Sequence, residues 1–150
     1  MVVSPHPLAT EVGLEIIKKG GNAVDAAVAV QFAIAVVFPR AGNIGGGGFM
    51  VIRFNDGATD AIDYREKAPL AADRDMYLDS IGDVINGLST LGHLAVGVPG
   101  TVDGLIQAHQ KYGKLDFASL IEPAIRLAEN GYKLTITEAK RISRYQQGFQ

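Results

Sequence analysis

Three groups of residues have the types and spacing to do chemistry. The first lies in "RAGNIGGGGFMVIRF", residues 40 to 54, where Gly42 is followed by four consecutive glycines, Gly45 to Gly48. A phosphate loop runs from a strand into a helix, because the helix N-terminus supplies N–H donors and a favourable dipole. Here the order is reversed: an apolar helical run precedes the glycines and a strand-like run follows. No lysine paired with serine or threonine comes after them, and Met50 stands where a dinucleotide loop needs its third glycine. What remains is steric. Bare backbone allows positive φ and close approach of another segment. The loop is either a tight helix-to-strand connection or a stretch kept bare so that chain or substrate can lie against it.

The second group is Arg65 in "DYREKAP", flanked by Asp63 and Glu66. On strand alternation Asp63 and Arg65 share one face, while Ile62 and Tyr64 share the other. A guanidinium presents a fork that suits a carboxylate. An ordinary ion pair with Asp63 or Glu66 explains the residues equally well, and from composition alone it is the stronger reading. The third group is the histidines and hydroxyls. His6, His93 and His109 are widely spaced without a ligand pattern, which argues against a metal site. His109 shares a helix face with Gln110 and Lys111 and is expected in solvent. No G-x-S-x-G marks a nucleophilic serine.

The elements that must position these residues follow from periodicity and punctuation. The chain of 150 residues is long enough for one domain with a real core, and 47% hydrophobic with 20% charged residues reads as soluble and globular. A formal net charge of −2 gives no reason to expect nucleic acid as a partner. With no cysteine there is neither a disulfide nor a thiolate. Residues 1–4 are a short strand candidate. Residues 8–19 have helical spacing and stop at Gly20 and Gly21, and Asn22 is the natural N-cap of the next helix. That helix, 23–38, is apolar nearly all round and therefore buried. Asp25 and Gln31 interrupt it, and it is too short to span a bilayer comfortably. Nothing at the start of the chain reads as a signal peptide.

Residues 49–54 and 59–64 read as two strands joined by the turn chemistry of "NDGA". A short helix is expected over 72–79 and a glycine-punctuated irregular segment over 80–100. Helices are expected over 101–113, over 116–131 with Asp116 as N-cap and Pro123 kinking it, and from 135 to 147. A two-stranded hairpin is marginal alone. A larger sheet is therefore expected elsewhere, which marks the sequence as a fragment.

Four motifs, "GGNAVDAAVAV", "AGNIGGGGFMVIR", "DYREKAP" and "GVPGTVDG", stand in an order and spacing that resembles the γ-glutamyltranspeptidases across essentially the whole chain. The resemblance implies an α+β N-terminal nucleophile hydrolase, an αββα sandwich, of which residues 1–150 are the N-terminal part of the large subunit: mostly helical, with a β-hairpin. It implies a precursor that cuts itself into large and small subunits. The cut frees a threonine that attacks the γ-glutamyl carbonyl of glutathione or a related compound, with water or an amino acid as acceptor. No metal or organic cofactor is implied. The small subunit of the same precursor is the implied partner.

Residue by residue, Arg65 matches the family's arginine that grips the substrate α-carboxylate, and Glu66 matches the glutamate beside it, which supports that arginine. No catalytic residue maps onto this fragment. Thr10, Thr59, Thr90, Thr101, Thr135 and Thr137 are internal, and none matches the nucleophile. The glycine loop is then expected to pack near the site, against small-subunit segments, without touching ligand. Met1 matches a methionine internal to the family, so both ends read as truncated. The family implies a periplasmic or extracellular location. Two other readings stand beside this one. One is a relative of the same fold acting on another acyl group, such as a cephalosporin acylase or a polyglutamate-processing enzyme. The other is a non-catalytic carboxylate-binding module.

Overall fold

A computed structural model describes residues 1–149. Five helices and one hairpin follow in the order α1 (Pro7–Lys18), α2 (Ala23–Val37), β1 (Phe49–Arg53), β2 (Thr59–Asp63), α3 (Thr101–Tyr112), α4 (Phe117–Asn130) and α5 (Ile136–Ser143). Single 3-10 turns lie at His93–Ala95 and Gln146–Phe149.

Helix α2 is the centre of the core. Val24, Ala26, Val28, Ala29, Ala33 and Val37 are buried, and its small side chains let α1 pack on one side and α4 on another. The facing stripes obey helical spacing: Ala9, Val12 and Ile16 on α1, Leu105 and Ala108 on α3, Leu120 and Ala124 on α4. Asn22 caps α2 as expected, and Asp25 completes a capping box by accepting the Asn22 N–H at 2.9 Å. The fully buried Asp25 carboxylate also accepts the backbone N–H of Lys114 at 3.0 Å, tying the α3–α4 connection to the start of α2. Helix α4 begins at the expected Asp116 cap and continues on both sides of the buried Pro123.

The hairpin is antiparallel with Phe49 opposite Asp63 and Arg53 opposite Thr59, turning at a positive-φ Gly57. Met50, Ile52 and Ile62 face the core, while Phe49 and Val51 face outward. Its outer end is fixed to α3 by Asp60, which accepts from Lys111 Nζ at 2.8 Å and from the Tyr112 hydroxyl.

Four expectations need correction. Residues 1–4 form no strand; instead Val2 packs against the bare flank of Gly13 in α1. Residues 72–79 form turns, not a helix: the Leu78 N–H closes a turn on the Asp75 carbonyl, Leu78 bridges to Val84, and Asp73 and Asp79 shape the adjoining turns by accepting from Asp75 N and from Ile81 N and Asp83 N. His109 is half-buried, its Nε2 2.7 Å from the Leu115 carbonyl and its ring 5.1 Å from that of Phe117, because the chain after α3 folds back over it. The last helix is shorter than its pattern: α5 begins at the Thr135–Glu138 capping box and gives way after Ser143. Among the described residues no helix is long and apolar enough to cross a membrane.

Candidate functional site

Strand β2 ends at Asp63, and the next three residues leave the hairpin as Tyr64, Arg65 and Glu66. The exit is shaped locally by Asp63, whose Oδ1 accepts the Arg65 N–H at 3.0 Å. Alternation carries through the exit: Tyr64 is half-buried and Arg65 is exposed. The Arg65 guanidinium lies 5.9 Å from the centre of the Phe49 ring, on the outer face of the hairpin. Its Nη2 donates to Glu66 Oε1 at 3.1 Å. Glu66 is its one acidic partner among the described residues, and the Arg65 side chain is 58% exposed, so most of the fork faces outward.

The glycines explain how this pair is seated. A Cβ at Gly47 would overlap the backbone N and Oε2 of Glu66 and the carbonyl of Tyr64. A Cβ at Gly48 would press on the Tyr64 ring, one at Gly100 would overlap the Tyr64 carbonyl, and one at Gly104 would overlap the Tyr64 ring. Gly97 lies against Glu66 and the Lys67 carbonyl, and Lys67 pairs with Val98 through two backbone hydrogen bonds, at 3.1 and 2.7 Å. Gly47, Gly97 and Gly100 thus crowd the backbone of residues 64–67, while Gly48 and Gly104 leave room for the Tyr64 ring. None of Gly42 and Gly45 to Gly48 has positive φ. Close approach, not left-handed backbone, is what the loop needs glycine for. Its tight contacts are with this chain's own segments.

The loop is also held from the other side. Gly46 accepts from the N–H of Gly100 at 2.8 Å and of Thr101 at 3.0 Å. Thr101, fully buried at the start of α3, donates its hydroxyl to Asn43 Oδ1 at 2.6 Å, and the same oxygen accepts the Gly46 N–H at 2.9 Å. Burial pushes the Tyr64 phenol up from its ordinary range, so Tyr64 stays neutral as a packing group.

Of the residues singled out by sequence, Arg65 and Glu66 come together with the glycine loop. The three histidines stay on separate elements: His6 caps α1, His93 lies in a 3-10 turn, and His109 is under the α3–α4 connection. Sequence reasoning missed Tyr64, Asn43 and Thr101 as parts of the site. The spacing of Gly97, Gly100 and Gly104 in "GVPGTVDG" was a visible signal of a bare face, but its occupant is some 40 residues away and left no local trace.

The sequence profile of the Gamma-glutamyltranspeptidase family matches residues 9–150. A Glutathione hydrolase proenzyme from Pseudomonas sp. (strain A14) is 59% identical over 134 residues, 89% of this chain and 23% of that protein. The crystal structure of Helicobacter pylori gamma-glutamyltranspeptidase superposes with a TM-score of 0.92 at 51% identity, covering 98% of this chain and 42% of that one. The cephalosporin acylase from Bacillus halodurans superposes with a TM-score of 0.78 at 30% identity, covering 95% of this chain and 27% of that one. The chain spans about a quarter of the length of the curated relatives it matches.

Proposed function

The chain belongs to the γ-glutamyltranspeptidase family, an enzyme family of γ-glutamyl transferases and hydrolases, and from that premise we propose that it supplies the substrate-carboxylate grip of such an enzyme. It carries a mostly helical part, with one hairpin, of the family's N-terminal nucleophile hydrolase fold. Residues 1–150 are read as the N-terminal part of the large subunit. The relatives are named proenzymes, in keeping with a precursor cleaved into subunits. The nucleophilic threonine lies in the small subunit, outside residues 1–150. The donor is glutathione or a related γ-glutamyl compound, the acceptor is water or an amino acid, and no cofactor takes part. A periplasmic or extracellular location follows from the same reading.

The observation that carries the proposal is the placement of Arg65. It stands at a strand end on a sterically enclosed backbone, is fixed on one side by Glu66, and presents the rest of its fork outward. A planar fork held this way can take a second carboxylate in bidentate fashion. In the reaction Arg65 orients the donor, so that the γ-carbonyl meets the nucleophile, and Glu66 keeps the guanidinium from turning away.

The test is turnover of γ-glutamyl-p-nitroanilide by the full-length protein and its Arg65→Ala variant. Loss of a charged, hydrogen-bonded contact costs about 2–5 kcal/mol, so KM rises about thirtyfold or more while kcat changes less. An unchanged KM removes Arg65 from the grip. A second reading, hydrolysis of another acyl group, is favoured by the likeness to the cephalosporin acylase. Profiling the full-length protein on γ-glutamyl and glutaryl amides separates the two.

A further inference from the structure

We propose that Thr101 and Asn43 are positioning residues for substrate binding, acting through the glycine loop on the Arg65–Glu66 pair. This rests on the reading of Arg65 as a carboxylate grip and extends it to two residues whose side chains hydrogen-bond to neither Arg65 nor Glu66.

The chain of contacts is continuous. The Thr101 hydroxyl donates to Asn43 Oδ1 at 2.6 Å across 58 residues of sequence. Asn43 Oδ1 also accepts the Gly46 N–H at 2.9 Å, and the Gly46 carbonyl accepts from Gly100 N and Thr101 N at 2.8 and 3.0 Å. The loop is therefore latched through both backbone polar groups of Gly46, its N–H on Asn43 and its carbonyl on the start of α3. The next residue, Gly47, is the one whose missing Cβ leaves room for Glu66 N and Oε2. Glu66 in turn holds Arg65 Nη2 through Oε1. A shift of the Gly46–Gly47 peptide thus falls directly on the carboxylate that orients the guanidinium.

Burial makes the latch specific. Thr101 is wholly inaccessible, and Asn43 Oδ1 is the acceptor its side chain uses. Without the hydroxyl, Asn43 keeps only its bond to Gly46, and the loop loses its side-chain link to α3. Because the lost bond acts on the position of Arg65 and not on the reacting atoms, the effect belongs in donor binding.

The experiment uses the processed full-length enzyme, with rates normalised to processed subunit. Thr101→Val, close in shape but without the donor, is expected to raise KM for γ-glutamyl-p-nitroanilide about fivefold, with kcat within about twofold. Thr101→Ser restores the hydroxyl and the wild-type KM. Arg65→Lys is measured alongside. If Arg65→Lys raises KM and Thr101→Val leaves it within twofold, the positioning inference is overturned and the grip stands. If Arg65→Lys leaves KM unmoved, the grip falls and the latch with it. A lower melting temperature or a lower kcat at unchanged KM marks Thr101 as a packing residue and counts against the inference. Should Thr101→Val not accumulate as folded enzyme, Asn43→Ala, which removes the shared acceptor, carries the same expected rise in KM and the same refutation.

Discussion

Within the run Gly45 to Gly48, Gly45 and Gly47 are predicted to respond to alanine in opposite directions. Neither has positive φ, so alanine meets no backbone strain at either position. At Gly45 nothing lies within 4 Å of an added Cβ. Alanine there restricts only the unfolded chain and is expected to leave stability unchanged or raise it by about 0.4–1 kcal/mol. At Gly47 the same Cβ overlaps Glu66 N, Glu66 Oε2 and the Tyr64 carbonyl, two of which are backbone atoms. Backbone in a hairpin exit pinned by the Lys67–Val98 pairing cannot retreat as a flexible side chain does. Overpacking of this kind costs about 1–3 kcal/mol, which exceeds the entropic gain and leaves a net loss of about 1–2 kcal/mol. The displaced group is also the one that holds Arg65, so KM for the γ-glutamyl donor should rise with Gly47→Ala and stay constant with Gly45→Ala. Parallel thermal melts and Michaelis curves of the two full-length variants decide the matter. Equal melting temperatures and equal KM values would refute the claim that the loop is bare in order to seat Glu66.

Leu120 is fully buried where α4 meets α2, so Leu120→Ala should cost about 2–5 kcal/mol, read as a lowered denaturation midpoint with KM for the donor unchanged. Hydrogen bonds from Lys111 and Tyr112 hold the Asp60 carboxyl down to about 2, and the same contact holds the Lys111 ammonium well above its usual range. The stabilisation from Asp60 is therefore fully present above its unfolded value of 3.8 and is lost as pH falls through about 2. An NMR titration of the Asp60 carboxyl should find its midpoint near there, and Lys111→Met should move it upward; a midpoint indifferent to Lys111 would contradict the pairing.

Helices α1 to α4 and the hairpin are legible because their signals are local: apolar spacing, the Asn22 and Asp116 caps, the glycines that end helices, and the turn at Gly57. The failures are also physical. Over 72–79 the composition permits a helix, yet the backbone closes separate turns, with the Leu78 N–H on the Asp75 carbonyl and the Tyr77 carbonyl taken by Ile85 N from the following segment. His109 reads as a surface residue from its helix neighbours, and it is covered by a segment whose path depends on Asp25. At the candidate site, Arg65 and Glu66 stand out by their motif, while the contacts that seat them leave no local signal. The contacts of Tyr64 with Gly104 and of Asn43 with Thr101 join positions 40 and 58 residues apart, and no periodicity encodes such a meeting.

The Arg65–Glu66 pair is hard to account for as a device for stability. Both side chains are more than a third exposed, and an exposed pair of this kind contributes about 0–1 kcal/mol. Around it and the preceding Tyr64, Gly47, Gly48, Gly97, Gly100 and Gly104 stay bare. Each glycine in place of alanine costs about 0.4–1 kcal/mol through the unfolded chain, so five amount to about 2–5 kcal/mol. Half-burial of the Tyr64 ring offsets part of this, but a smaller side chain at 64 with alanines around it would bury comparable area without the entropic loss. What the glycines gain over that alternative is placement: a strand exit whose backbone is bounded on three sides, with one charged fork projecting from it. Fixed placement of an exposed arginine has little value to a fold and direct value to a site that must meet a carboxylate in a single orientation. On this ground the grip is a better account of Arg65 than the ion pair alone, even though the ion pair is present.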